Sequence, residues 1–150
     1  MDRILVLLKP DAIQRGFCGE IIGRLEKRGL KIIAMKMLHM DRDLARKHYA
    51  AHTEKAFFQG LIDFITSSPL VALVVEGQNA IESVRSTMGA TDPQHASSGT
   101  IRGDMAQSVG QNLIHGSDSK EAAATEINLF FSNEEIMDYQ RELDRWVIES

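Results

Sequence analysis

The sequence has little that would brace or anchor it from outside. A single cysteine, Cys18, excludes an intrachain disulfide and a Cys-rich metal site, which fits a reducing compartment and makes the cytoplasm the expected location. Long apolar runs are missing too. The stretch Ile4–Leu8 is stopped by Lys9 and Pro10, far short of a signal h-region or a membrane span, so a first strand is expected there and no membrane partner. Positive charge is not in excess: 17 Lys and Arg against 21 Asp and Glu leave a net charge of −4. A basic footprint for duplex nucleic acid or an anionic membrane is therefore not expected, although local basic sites remain open. Neither G-x-G-x-x-G nor G-x-x-x-x-G-K-[ST] occurs, so any phosphate would have to be held by side chains; G-x-S-x-G is absent as well, which argues against a serine hydrolase. Repeats, low-complexity tracts and linkers are lacking. With 150 residues, 43% of them hydrophobic, the chain reads as one domain, 1–150.

What is present alternates between strand and helix signals. "PDAIQRGFCG" reads as loop, and "GEIIGRLEKRG" as a helix presenting Ile21, Ile22 and Leu25 before Gly29 stops it. "LKIIAMKMLHM" is compatible with a strand, Ile33, Met35 and Met37 facing one way and Leu30, Ile32, Ala34 and Leu38 mostly the other, with both faces covered. A two-helix excursion follows: Asp41 caps a helix through Leu44 and Tyr49, and a second carries Phe57, Leu61, Phe64 and Ile65. "LVALVVEG" is the clearest strand, after which Asn79 can cap a helix with Ile81, Val84 and Met88. No long element is evident from Ala90 to Gly110, and a stretch that long in a compact domain is usually functional or disordered. Asp118 with Glu121 and Ser132 with Glu135 have capping-box spacing, the first for a helix through Ile127 to Phe130. The amphiphilic tail carries Trp146 and Val147, too apolar for a free end, and is expected to dock on its own or a neighbouring subunit.

The stretch "NLIHGSDS", Asn112 to Ser119, puts His115 at a strand-to-helix junction. An unperturbed imidazole is largely neutral near pH 7 and keeps one lone pair, so it can serve as base, ligand or nucleophile. Metal ligation is the weaker option, because His39, His48, His52 and His95 show no i, i+4 pairing with His115. A lone histidine is more often a hydrogen-bonded structural residue, but the surroundings shift that reading. Lys9, Arg85 and Arg102 fall at element ends, with Thr91 and Asn112 nearby; each cation alone would be a solvated charge, whereas three around one histidine make a phosphate site. Glu126, on the second turn of the following helix, can reach the ring nitrogen away from a substrate, fix the tautomer and stabilise a cation. On their own, Ser117 and Ser119 read as turn and cap residues, and Phe57 and Phe58 as core.

"NLIHGSDS" resembles the N-x-x-H-G-S-D signature of the nucleoside diphosphate kinase family. "LLKPDAIQRG", "HYAAH", "FFQGL", "EGQNAIESVRSTMGATDP" and "GTIRGD" match it independently, so the resemblance spans nearly the whole chain. It implies an α/β, ferredoxin-like sandwich: a four-stranded antiparallel sheet with helices packed on one face and an inserted helical hairpin. It also implies ping-pong transfer of a γ-phosphoryl group from a nucleoside triphosphate to His115 and on to a nucleoside diphosphate. Mg²⁺ would be held mainly by the nucleotide phosphates, with no protein side chain as metal ligand. Lys9, Tyr49, Arg85, Thr91, Arg102 and Asn112 would surround phosphates and sugar, Phe57 and Val109 would sandwich the base, Leu61 would line the same cleft, and Ser117 and Glu126 would support His115. Nucleic acid would not be an obligatory partner, and a homo-oligomer is implied, a hexamer favoured over a tetramer. Three positions depart from the pattern: Ala56 stands where proline commonly precedes the Phe pair, Asp92 where Asn is common, and Gln111 where Arg is frequent. Two other classes compete, a phosphohistidine carrier needing no base platform and a noncatalytic module of the same fold.

Overall fold

The computed structural model describes residues 1–149. Its sheet has four strands, β1 (Asp2–Leu8), β2 (Lys31–Leu38), β3 (Leu70–Gly77) and β4 (Ile114–Gly116), in the order β2-β3-β1-β4, each neighbouring pair antiparallel. β1 and β2 therefore run parallel with β3 slotted between them, a split β-α-β unit of the ferredoxin-like kind. Between strands lie α1 (Pro10–Gln14), α2 (Cys18–Lys27), α3 (Arg42–His48), α4 (Phe58–Ile65), α5 (Ala80–Met88) and α6 (Ile101–Met105), and α7 (Lys120–Phe130) follows β4.

The alternation of side chains along β1 divides the interior in two. Ile4, Val6 and Leu8 pack with Ile21 and Leu25 of α2 and Val84 and Met88 of α5. Leu5 and Leu7 pack on the other side with Ala45 of α3, Ile62 and Ile65 of α4, and Ala123, Ile127 and Phe130 of α7. The expectation of helices on one face thus needs correcting: α2 and α5 cover one face, and the inserted hairpin with α7 covers the other. This double cover is why β1 and β3 read as unbroken apolar runs.

Local differences from the sequence reading have local causes. "PDAIQ" forms α1, a five-residue helix with Pro10 at its first position, where a missing N–H costs nothing. Asn79 sits in the left-handed region at φ 52° and makes no side-chain cap bond. Ser119, not Asp118, caps α7, its hydroxyl accepting from the Ala122 N–H. Asp41 caps α3 as expected, accepting from Leu44 N–H, and the Ser132–Glu135 box forms but opens only a three-residue 3₁₀ turn. In β2 a bulge between Ile32 and Ala34 turns Ile33 towards the α3/α7 side, leaving Met35 and Met37 on the opposite face, where they are exposed. Trp146 is also exposed, while Arg141 ties the tail back through bonds to the carbonyls of Gly29 and Leu30.

Candidate active site

His115 is the middle residue of β4 and pairs with Leu7, so the alternation that sends Leu7 towards α3 and α7 sends the imidazole the same way. Gly116 beside it lets α5 approach: a Cβ there would come within 2.7 Å of the Met88 sulfur. Nε2 of His115 lies 2.7 Å from Oε1 of Glu126, and the Ser117 hydroxyl donates to the same oxygen at 2.9 Å. Ser117 is fully buried and accepts from the Leu5 N–H at 3.2 Å, so it clamps the carboxylate to the central strand. Burial alone would raise the Glu126 carboxyl, but hydrogen bonds from His115 and Ser117 and the nearby imidazoles hold it below the ordinary range. With Nε2 committed to Glu126, Nδ1 is the ring nitrogen left for chemistry.

The histidine opens into a cavity of about 560 Å³. Lys9, Tyr49, Phe57, Leu61, Arg85, Thr91, Arg102, Val109, Asn112 and Glu126 line it with His115, and Ser117 sits behind. All the residues singled out from the sequence are thus brought together. Lys9 follows the end of β1; its ammonium donates to Oδ1 of Asn112 at 2.6 Å, and Asn112 donates to the Thr91 carbonyl at 3.0 Å. Burial pushes the Lys9 ammonium down to about 8, opposed by Asp11 and reinforced by Arg102. Arg102 is buried and donates to three carbonyls, those of Asn112, Gly89 and Ile114, at 3.2, 3.1 and 2.6 Å. It fastens the long loop as well as supplying charge, and burial beside Arg85 lowers it to about 10. Arg85 is exposed and makes one bond, to the Gly116 carbonyl at 2.9 Å, leaving the rest of its fork free. Burial raises the Tyr49 hydroxyl to about 12, so it enters any reaction as a neutral donor.

Backbone strain helps hold this arrangement. Leu113 is buried at φ 75°, a conformation costly for a branched side chain. Its N–H donates to Asp11 Oδ2 at 3.0 Å and its carbonyl accepts from Lys9 N–H at 2.9 Å, so the first helix holds the turn in place. At the opposite end of the cavity Phe57 and Val109 are about half exposed. Phe58, by contrast, packs into the α3/α7 core, which separates the two phenylalanines that the sequence reading grouped as core. Asp92 caps the 3₁₀ turn Pro93–His95, accepting from Gln94 N–H, while Ala56 and Gln111 are exposed.

Sequence reasoning missed His48. It stands at the end of α3 with its ring edge-on to His115, centroids 4.8 Å apart and planes at 83°, and edge-on to Phe130. Burial, with His115 adding to it, pushes His48 down to about 3, so it is neutral. Donor atoms of His48, His115 and Glu126 lie within 4.8 Å of one another. His48 has no i, i+4 pairing with His115, as read from the sequence, and reaches it because the hairpin and β4 meet in the fold; the nearby His48–His52 spacing of i, i+4 was the one local hint. A second cavity, of about 430 Å³, lies under the tail among mixed charges including Arg28, Glu76 and Asp144, with no histidine in its lining.

A family model described as nucleoside diphosphate kinase matches residues 2–136. Nucleoside diphosphate kinases of Archaeoglobus fulgidus and Pelotomaculum thermopropionicum are 54% and 55% identical to this chain, covering 99% of it and 99% and 100% of their own lengths. Among solved structures, a halophilic nucleoside diphosphate kinase from Halobacterium salinarum in complex with CDP superposes with a TM-score of 0.96 at 49% identity, covering 99% of each chain. A nucleoside diphosphate kinase family protein from Babesia bovis gives a TM-score of 0.96 at 40% identity, covering 99% of this chain and all of that one.

Proposed function

The chain belongs to the nucleoside diphosphate kinase family, and from that premise we propose that it moves a γ-phosphoryl group from a nucleoside triphosphate to a nucleoside diphosphate through a covalent intermediate on His115. The observation that carries the reading is the His115–Glu126 bond at the floor of a cavity whose walls bear Lys9, Arg85 and Arg102.

The chemistry follows from that geometry. Nδ1 attacks the γ-phosphorus, an N–P bond forms, the bond to the bridging oxygen breaks, and the diphosphate leaves with that oxygen. The ring gains positive charge, which the Glu126 carboxylate offsets through Nε2–H. A second diphosphate then attacks with a β-phosphate oxygen already ionised at neutral pH, so no strong base is required. The remaining task is cancelling charge on the equatorial oxygens and fixing the line of attack, to which Lys9, Arg85 and Arg102 contribute with Tyr49, Thr91 and Asn112 beside them. A divalent cation belongs to this chemistry. We take it as Mg²⁺ carried on the phosphates, where it screens charge. The donor set suits that: Glu126 is already engaged, and exposed Asp118 is the other carboxylate lining the cavity. Phe57 and Val109 offer apolar surface to either face of a base with Leu61 deeper in the cleft, and stacking without edge contacts reads base identity weakly. The CDP bound by the Halobacterium relative supports a nucleotide occupant.

Among the described residues no helix is long and apolar enough to cross a membrane; a cytoplasmic location is our reading. We also read 1–150 as a single domain that assembles with copies of itself. Exposed Met35, Met37 and Trp146 support such contacts, with a hexamer favoured over a tetramer, and light scattering decides between them. Incubation with γ-labelled ATP tests the reaction. An acid-labile, base-stable label discharged by GDP or CDP is expected; discharge only by a partner protein would favour a carrier, and no label a noncatalytic module.

A further inference from the structure

Three donors at the cavity floor form a set that phosphoryl transfer does not use as a set. Nε2 of His115 and Oε1 of Glu126 are 2.7 Å apart, and a ring nitrogen of His48 joins them within 4.8 Å. Nδ1 of His48 is buried with no hydrogen-bond partner among the described residues, a costly state for a polar atom. His48 and Glu126 also line a separate cavity of about 350 Å³ between α3 and α7, so two of the three donors border space outside the main cavity. Two imidazoles and a carboxylate are the donors of open zinc sites, which keep a fourth position for water, whereas Mg²⁺ selects oxygen ligands.

We propose that His48, His115 and Glu126 form an inhibitory site for a borderline divalent cation, with Zn²⁺ as its type ligand. The inhibitory part rests on His115 being the nucleophile. Zinc bonds of about 2.0–2.2 Å put ligand atoms roughly 3.4 Å apart, so the widest separation in the set, up to 4.8 Å, must close by a side-chain movement of His48 while the 2.7 Å His115–Glu126 pair opens. Coordination at Nε2 needs that nitrogen's lone pair. The Nε2 proton therefore passes to solvent and solvent returns one to Nδ1. The ring stays neutral, no oxidant or reductant takes part, and Glu126 exchanges its hydrogen bond for a metal bond. Nδ1–H then has no lone pair with which to form the N–P bond, so the bound ion and attack on the γ-phosphate exclude each other.

Co²⁺ titration of the nucleotide-free protein, followed by the visible absorption that separates a four-coordinate nitrogen-bearing site from the hydrated ion, tests the site without activity. One equivalent displaceable by Zn²⁺ is expected. His48→Gln should weaken it by about tenfold or more, as should the bulk-preserving His48→Phe, while exposed His95→Ala leaves it unchanged. No four-coordinate signal in the wild type, or a signal of undiminished affinity in both His48 variants, overturns the site. In parallel, Zn²⁺ added with excess Mg²⁺ should block labelling by γ-labelled ATP in the wild type, and the Zn²⁺ concentration that halves labelling, measured against each protein's own zinc-free level, should rise about tenfold in His48→Phe. Normal labelling of the wild type with Zn²⁺ present overturns the inhibitory role alone. Wild-type protein that binds Co²⁺ yet is never labelled sinks the phosphohistidine reading, and the inhibitory role with it.

Discussion

The two ends of the cavity are built differently. At the end we assign to the phosphates most polar side chains are held by hydrogen bonds to the protein: Lys9 on Asn112, Asn112 on Thr91, Arg102 on three carbonyls, and Glu126 between His115 and Ser117, with Arg85 the looser one. At the end we assign to the base, Phe57 and Val109 stand half exposed, with the His52 ring 5.8 Å and the Lys55 ammonium 5.5 Å from the centre of the Phe57 ring. A transferring phosphoryl group tolerates little displacement, and rigid, desolvated donors act on it without reorganising. A base that is only stacked needs surface rather than register. The difference teaches that rate and affinity are separable here by position along one cleft.

The strongest way to break that comparison is at its fixed end. His115→Ala should abolish labelling and lower kcat by on the order of 10⁴-fold or more while nucleotide binding survives; substantial turnover in a coupled assay would remove His115 as nucleophile. Glu126→Gln should lower kcat by about 10–100-fold with little change in KM, because it disturbs the tautomer and not the nucleotide contacts. Arg102→Ala should cost stability as well as kcat/KM, by about 2 kcal/mol or more in urea unfolding, since charged donors leave three carbonyls at once. Phe57→Ala sharpens the contrast: KM should rise about tenfold with kcat nearly kept, the scale of losing one stacked aromatic. A kcat loss there as large as that of Glu126→Gln would erase the division.

The smallest effect concerns pH. Lys9 is pushed down to about 8 in the fold, so between there and the ordinary lysine range the unfolded chain holds a proton the folded chain has lost. Stability then gains from this group as pH rises through that window, while the charge offered to phosphate declines. Nucleotide KM should climb a few-fold above pH 8 in steady-state kinetics, and Lys9→Met, though weaker throughout, should show a flatter profile.

Legibility followed the range of the forces involved. Strands β1 and β3 were readable because burial on both faces leaves Ile4–Leu8 and Leu70–Val75 uninterrupted by a polar residue, and α2 because its apolar stripe ends at a glycine. Glu126 was readable because it lies on α7, the helix that directly follows the His115 strand. His48 was not: it reaches His115 only through the packing of the inserted hairpin on the sheet, and no spacing along the chain encodes that. The bulge in β2 was equally hidden, since one extra residue leaves composition unchanged while moving Ile33 to the other core.

Leu5 and Ser117 are bonded across 112 positions, and the Lys9 backbone waits for the carbonyl of Leu113. During synthesis the opening strand must therefore stay unpaired on one side until most of the polypeptide has left the ribosome, and closure over so long a loop is slow. A truncated product ending between Tyr49 and β4 would carry Lys9 and Tyr49 but neither His115 nor Glu126, so incomplete chains lack the group we propose to carry the phosphoryl and the carboxylate that orients it.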